Sequence, residues 1–118
     1  MADPLKRAVT DDQMLKLMKA FELLRIMDRE IPGQLVSCFF YICSHDNCHK
    51  LAMEEDLGLR NASSSRVTDW LSDFHRLGKP GLGLIEKYTD PACRRRQYLR
   101  LTEKGKALRN QIQDIVYD

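Results

Sequence analysis

No apolar run in this 118-residue chain approaches the roughly 20 residues needed to span a bilayer. The N-terminus also lacks the basic, apolar, small-residue order of a secretory signal. The expected location is therefore the cytoplasm, with no membrane partner and with the four cysteines held as thiols. No internal repeat or low-complexity tract divides the chain into an array or a linker. Missing too are a phosphate loop, a His-Glu-x-x-His helix and a Gly-x-Ser-x-Gly elbow. His45, His49 and His75 stand in no recognisable arrangement with Ser, Cys or Asp. Nothing points to catalysis, so neither a catalytic residue nor a cofactor is expected.

What is present has ordinary globular composition, 43% hydrophobic and 31% charged, which fits one domain with a modest core. The net charge of +2 hides an uneven distribution. Residues 1–59 carry −3, residues 60–109 carry +7 and the last nine carry −2. A strongly basic stretch on an otherwise acidic chain is the footprint of a nucleic-acid face.

Periodicity predicts mostly helix. Residues 1–9 read as a loose arm. Thr10-Asp11-Asp12-Gln13 has the form of a capping box. The helix it opens carries Met14, Leu17, Met18, Phe21, Leu24 and Met27 at helical spacing, with Leu15, Leu23 and Ile26 beyond that stripe. So much apolar surface implies burial on more than one side, hence a dimer contact as well as a core contact. Pro32 opens a second helix with Leu35, Cys38, Phe39 and Ile42 inward. A third runs from about His49 to Leu57 and stops at Gly58. A fourth, capped by Asn61 or Ser63, extends to about Leu77 with Val67, Trp70, Leu71, Phe74 and Leu77 on one face. Its other face holds Ser65, Asp69, Ser72 and Arg76, flanked by Arg66 and Thr68. Residues 78–83 read as a flexible bend.

Leu84 to Gly105 then reads as a hairpin followed at once by a helix start. Asp90-Pro91 suits a turn, Arg94, Arg95 and Arg96 sit at its tip, and Thr102 is a fair N-cap. Three adjacent arginines cannot pack in a core, and they make sense against a polyanion. The order helix, helix, short helix, turn, helix, hairpin, helix defines a winged helix-turn-helix, mainly α with a small β-hairpin wing (α+β). Its fourth helix suits a major groove, and its arginines suit a neighbouring minor groove or backbone.

The motifs resemble those of the MarR group of winged-helix transcription regulators. Ser65-Arg66-Val67-Thr68 with Trp70, Leu71 and Phe74 is similar to its recognition helix, and Gly83-Leu84-Ile85-Glu86-Lys87 to the start of its wing. Asp90-Pro91-Ala92-Cys93-Arg94-Arg95 resembles its wing turn, and Leu101-Thr102-Glu103-Lys104-Gly105 its following helix start. The resemblance covers about residues 32–110 and implies a homodimeric regulator, usually a repressor, on pseudo-palindromic duplex DNA. On that reading residues 10–30 and 102–118 form the dimerisation helices, and residues 32–101 form the DNA-binding core with its wing at 83–101. Ser63, Ser64, Ser65, Arg66, Thr68 and Asp69 would read the major groove. Arg95 would enter the minor groove, flanked by Arg94 and Arg96, and Lys87, Arg100 and Arg76 would contact phosphate.

Departures from the family pattern carry their own expectations. Cys93 stands where the turn normally has an acidic residue, so Arg95 must be held in another way. Asp69 puts a carboxylate on the outward helix face, where it repels phosphate but can accept from cytosine or brace Arg66. The chain stops at Asp118, short of the family's usual dimerisation helices, and a small-molecule effector is left open. Cys43, His45, Cys48 and His49 are sterically conceivable zinc ligands, although a polar loop between helices accounts for them as well. Cys93, beside three arginines, has the surroundings of a reactive thiol or is simply a small residue that fits the turn. The rival reading is a winged-helix module that docks onto a transcription or replication protein.

Overall fold

The computed structural model describes residues 11–73, 75 and 77–118. The arm at 1–9, Thr10, Phe74 and Arg76 lie outside the described residues. The order is α1 (Asp12–Met27), α2 (Gly33–Ser44), β1 (Cys48–His49), α3 (Lys50–Leu57), α4 (Asn61–Leu71), β2 (Ile85–Asp90), β3 (Cys93–Leu101) and α5 (Glu103–Val116). This is the expected α+β winged helix-turn-helix with one addition. His49 leaves the expected third helix, and Cys48 and His49 pair with Leu99 and Tyr98, so the sheet has three antiparallel strands in the order β1-β3-β2.

The cap of α1 is Asp11, whose carboxylate accepts from the backbone of Gln13 (3.0 Å) and Met14 (3.2 Å). The helix packs along α5, with Ala20 and Leu24 buried. In α2 the four expected positions Leu35, Cys38, Phe39 and Ile42 are all fully buried. They meet Leu24, Met53, Leu71, Leu84 and Leu99 in one core. Gly58 ends α3 in the left-handed conformation, φ 64°. Leu59 N–H reaches back to the Glu54 carbonyl at 2.8 Å and Gly58 N–H to Glu55 at 3.3 Å, the paired bonds of a Schellman cap.

The fourth helix differs from expectation at both ends. Arg60 is its N-cap and makes no side-chain capping bond, and the helix stops at Leu71 rather than near Leu77. The segment expected to be a loose bend causes the early stop. Leu82, Gly83 and Leu84 N–H groups donate to the carbonyls of Trp70, Ser72 and Leu71 at 2.8, 2.6 and 2.8 Å. Carbonyls that a longer helix would use internally are satisfied by the returning chain, so the helix gains nothing by continuing.

At the start of α5, Thr102 Oγ1 accepts from Gly105 N–H (3.0 Å) and donates to the Gly83 carbonyl (2.6 Å). A Cβ on Gly105 would lie 2.0 Å from the Leu84 carbonyl oxygen. The Thr-x-x-Gly pattern therefore caps the helix and lets its first turn press against the base of the wing.

Candidate nucleic-acid interface

The inward face of α4 is Ser64, Val67, Thr68 and Leu71. These positions follow the i, i+3, i+4, i+7 spacing of a buried stripe. Ser64 and Thr68, expected among the base readers, are instead fully buried. Thr68 turns its hydroxyl onto the Ser64 carbonyl (2.8 Å), while Ser64 Oγ has no hydrogen-bond partner among the described residues. Two small side chains beside Val67 and Leu71 let the helix sit close to the core. Exposed at the helix start are Asn61, Ala62 and Arg66, with Ser63, Ser65 and Asp69 half-buried. Asn61 and Ala62 fell outside the expected reader set. The signal for Ala62 in the sequence was the 62, 65/66, 69 spacing opposite the buried stripe.

Asp69 does not brace Arg66. Its carboxylate takes Lys87 Nζ from β2 at 2.7 Å, so one expected reader and one expected phosphate contact neutralise each other. Arg100 is likewise engaged: its Nε lies 2.8 Å from Glu86 across the β2–β3 ladder, and its guanidinium covers the Tyr88 ring at 4.7 Å. Further in, Lys50 and Glu54 form a 2.8 Å pair whose side chains are only 6% and 7% exposed. Asn61 donates weakly to the same carboxylate at 3.4 Å.

The arginines of the wing are arranged otherwise. The turn is Asp90 to Cys93, with Asp90 Oδ1 accepting from Ala92 N–H at 2.9 Å. Arg94, Arg95 and Arg96 are not at this tip but in β3 behind it. Thr89 pairs with Gln97 and the next residue, Asp90, pairs with Cys93. Strand β3 thus carries three residues more than β2 between these two pairs, and the three are the arginines. A bulge of this kind breaks the alternation that would turn every second side chain inward. All three are exposed, and none has a carboxylate partner among the described residues.

A groove of about 470 Å³ joins the two regions, bounded by Leu51, Glu54 and Glu55 of α3, Asn61 at the start of α4, and Arg95, Arg96 and Gln97 of β3. Asn61 at the helix start and the wing arginines Arg95 and Arg96 therefore open onto one surface.

The cysteine and histidine candidates are dispersed. Cys43 faces α5 near Arg109 and Ile112, and the His45 ring stacks on Tyr41 at 4.3 Å. Cys48 pairs in the sheet and the His49 ring packs on Tyr98 at 4.3 Å. No group of three possible ligands is placed to hold a metal among the described residues. Burial pushes the thiols of Cys38, Cys43 and Cys48 up to about 11. Cys93, the candidate reactive thiol, is half-buried opposite Asp90.

Helices α3 and α4, the partly exposed outer face of α4 and the arginine-bearing wing define a winged helix-turn-helix. No protein-family model matches the chain, and no curated protein does. Among solved structures it is similar to the PcaV transcriptional regulator from Streptomyces coelicolor in complex with its natural ligand, at 21% identity and TM-score 0.58. That match covers 94% of this chain and 79% of the other. It is similar to transcriptional regulator Tm0710 from Thermotoga maritima at 17% identity and TM-score 0.66, over 88% of this chain and 66% of that one. A MarR mutant from E. coli complexed with operator DNA matches at 18% identity and TM-score 0.60, over 87% and 69%. The fold is a MarR-like winged helix. No helix among the described residues is long and apolar enough to cross a membrane.

Proposed function

We propose that the protein is a sequence-specific double-stranded DNA-binding transcriptional regulator that acts as a homodimer and represses by occupying its operator. The observation that carries this reading is the three-arginine bulge, two of whose arginines, Arg95 and Arg96, share a groove with Asn61 at the start of α4. The MarR-like structure in complex with operator DNA supports it by fold. Asn61, Ser63, Ser65 and Arg66 approach the major groove, with Ser64 and Thr68 withdrawn into the core. Arg95 enters the minor groove, and Arg94 and Arg96 contact phosphate. Asp69 acts by holding Lys87 rather than by reading a base.

Dimerisation uses the exposed stripe of α1. Met14, Leu17, Met18 and Phe21 are 60%, 52%, 53% and 38% exposed on a helix whose opposite side is already packed on α5. Lys16 ties this helix to the Asp118 carbonyl at the end of the chain.

Fluorescence anisotropy with a random-sequence duplex at about 50 and about 200 mM salt, alongside the mass in solution, tests the reading. The expected result is a dimer whose affinity falls steeply with salt, with Arg95→Ala weakening binding and relaxing preference for A·T-rich flanks. A monomer without duplex affinity would instead favour a protein-docking module, the reading to which the neutralised Lys87 and Arg100 lend weight.

A further inference from the structure

Three aromatic rings stand in one row across the sheet, outside both the core and the arginine bulge. The pairing sets Tyr88 of β2 opposite Tyr98 of β3, and His49 of β1 opposite the same Tyr98. Leu99 and Leu101 point into the core, so alternation puts Tyr98 and Arg100 on the outer face. The Tyr88 and Tyr98 rings lie 5.2 Å apart and within 14° of parallel, and His49 covers the other side of Tyr98 at 4.3 Å. Arg100 closes the row over Tyr88. Both ends are fastened. Glu86 holds Arg100, the Tyr88 hydroxyl donates to Asn47 Oδ1, and His49 is the residue from which α3 starts.

We infer that Tyr98, locked in this row, is the positioning residue for the Arg94–Arg96 bulge. For its effect on DNA the inference rests on the function proposed above. The bulge lies between Cys93 and Gln97, and Tyr98 is the first outer-face residue after it. Its hydroxyl comes within 3.4 Å of Asp90 Oδ2, on the far side of the bulge, while the other Asp90 oxygen holds the turn. Cys93 brings no carboxylate to the arginines, and the three like charges repel one another. No ion pair among the described residues fixes the bulge, so its flanks bear on its shape. A two-stranded ribbon alone is marginal in water. The ring row ties this one through β1 to α3, and so sets where the arginines stand relative to α4. Arginines ordered before DNA arrives lose less freedom on binding.

Tyr98→Leu removes the ring from an outer-face strand position, and Tyr98→Phe keeps it. In the free protein, Tyr98→Leu should raise amide exchange at residues 94–97 by about tenfold and leave α5 unchanged. Tyr98→Phe should stay within about twofold, because the 3.4 Å hydroxyl contact is long. His49→Ala, at an exposed position, should reproduce the signature of the leucine variant and serves where that variant folds poorly. On the same random-sequence duplex, Tyr98→Leu should weaken binding by about three- to tenfold without changing the salt slope, since no phosphate contact is lost. It should add nothing to a triple Arg94→Ala, Arg95→Ala, Arg96→Ala variant. Unchanged exchange at the bulge, or a loss additive with the triple variant, overturns the inference. If the wild-type protein binds no duplex, the proposed function fails, and the exchange measurement alone still decides the role of Tyr98.

Discussion

The flank of the wing and its bulge both carry cations in sequence, yet they present opposite surfaces. On the flank, Lys87 and Arg100 meet Asp69 and Glu86, and below them Lys50 meets Glu54. In the bulge, Arg94, Arg95 and Arg96 meet no carboxylate among the described residues. The +7 of residues 60–109 already subtracts Asp69 and Glu86, and it does not say which cations face a partner. What is offered is local, and it is largest where the strand has three residues too many.

The strongest way to break the paired side is Glu54→Ala, which leaves the Lys50 ammonium buried and alone. The expected loss is about 3–5 kcal/mol, read from urea unfolding, because an uncompensated buried charge must be dehydrated or neutralised.

Asp69→Asn moves the flank toward the bulge by freeing Lys87. The salt slope of duplex binding should steepen by about one unit, whereas Arg96→Ala should flatten it by about one unit. If both variants leave the slope unchanged, the division between paired and offered cations is wrong. The ion pair itself is partly exposed, so little stability should go with it.

A pH-dependent effect belongs to the thiols. Cys38, Cys43 and Cys48 are raised from 9.0 to about 11, chiefly by burial. The unfolded thiols ionise first as pH rises. Their contribution is thus complete below pH 9, declines between 9 and 11 and is lost above that range. Urea midpoints should fall between pH 8 and pH 10 in the wild type and fall less in a Cys43→Ala, Cys48→Ala variant.

Much of the scaffold was legible because local chemistry and tertiary packing agree there. The α2 stripe, the Gly58 terminator and the Thr102 cap each satisfy a backbone or burial need visible within a few residues. The short α4 was not legible, since the groups that end it come from Leu82–Leu84, a dozen residues on. Strand β1 was hidden for the same reason: two residues make a strand only when β3 lies beside them. Ser64 and Thr68 looked like readers because their hydroxyls are polar. Only the depth of α4 in the core turned them inward.

By itself the sequence determined the winged-helix order, the inward stripes and the presence of an arginine cluster, all of which follow from periodicity, caps and composition within short windows. Tertiary structure alone decided which cations stay free. Ion pairs such as Asp69 with Lys87 join residues 18 apart, and the bulge that exposes Arg94–Arg96 exists only as a mismatch between two strands. Charge is a property of a residue, but offered charge depends on which opposite charge the fold brings within reach.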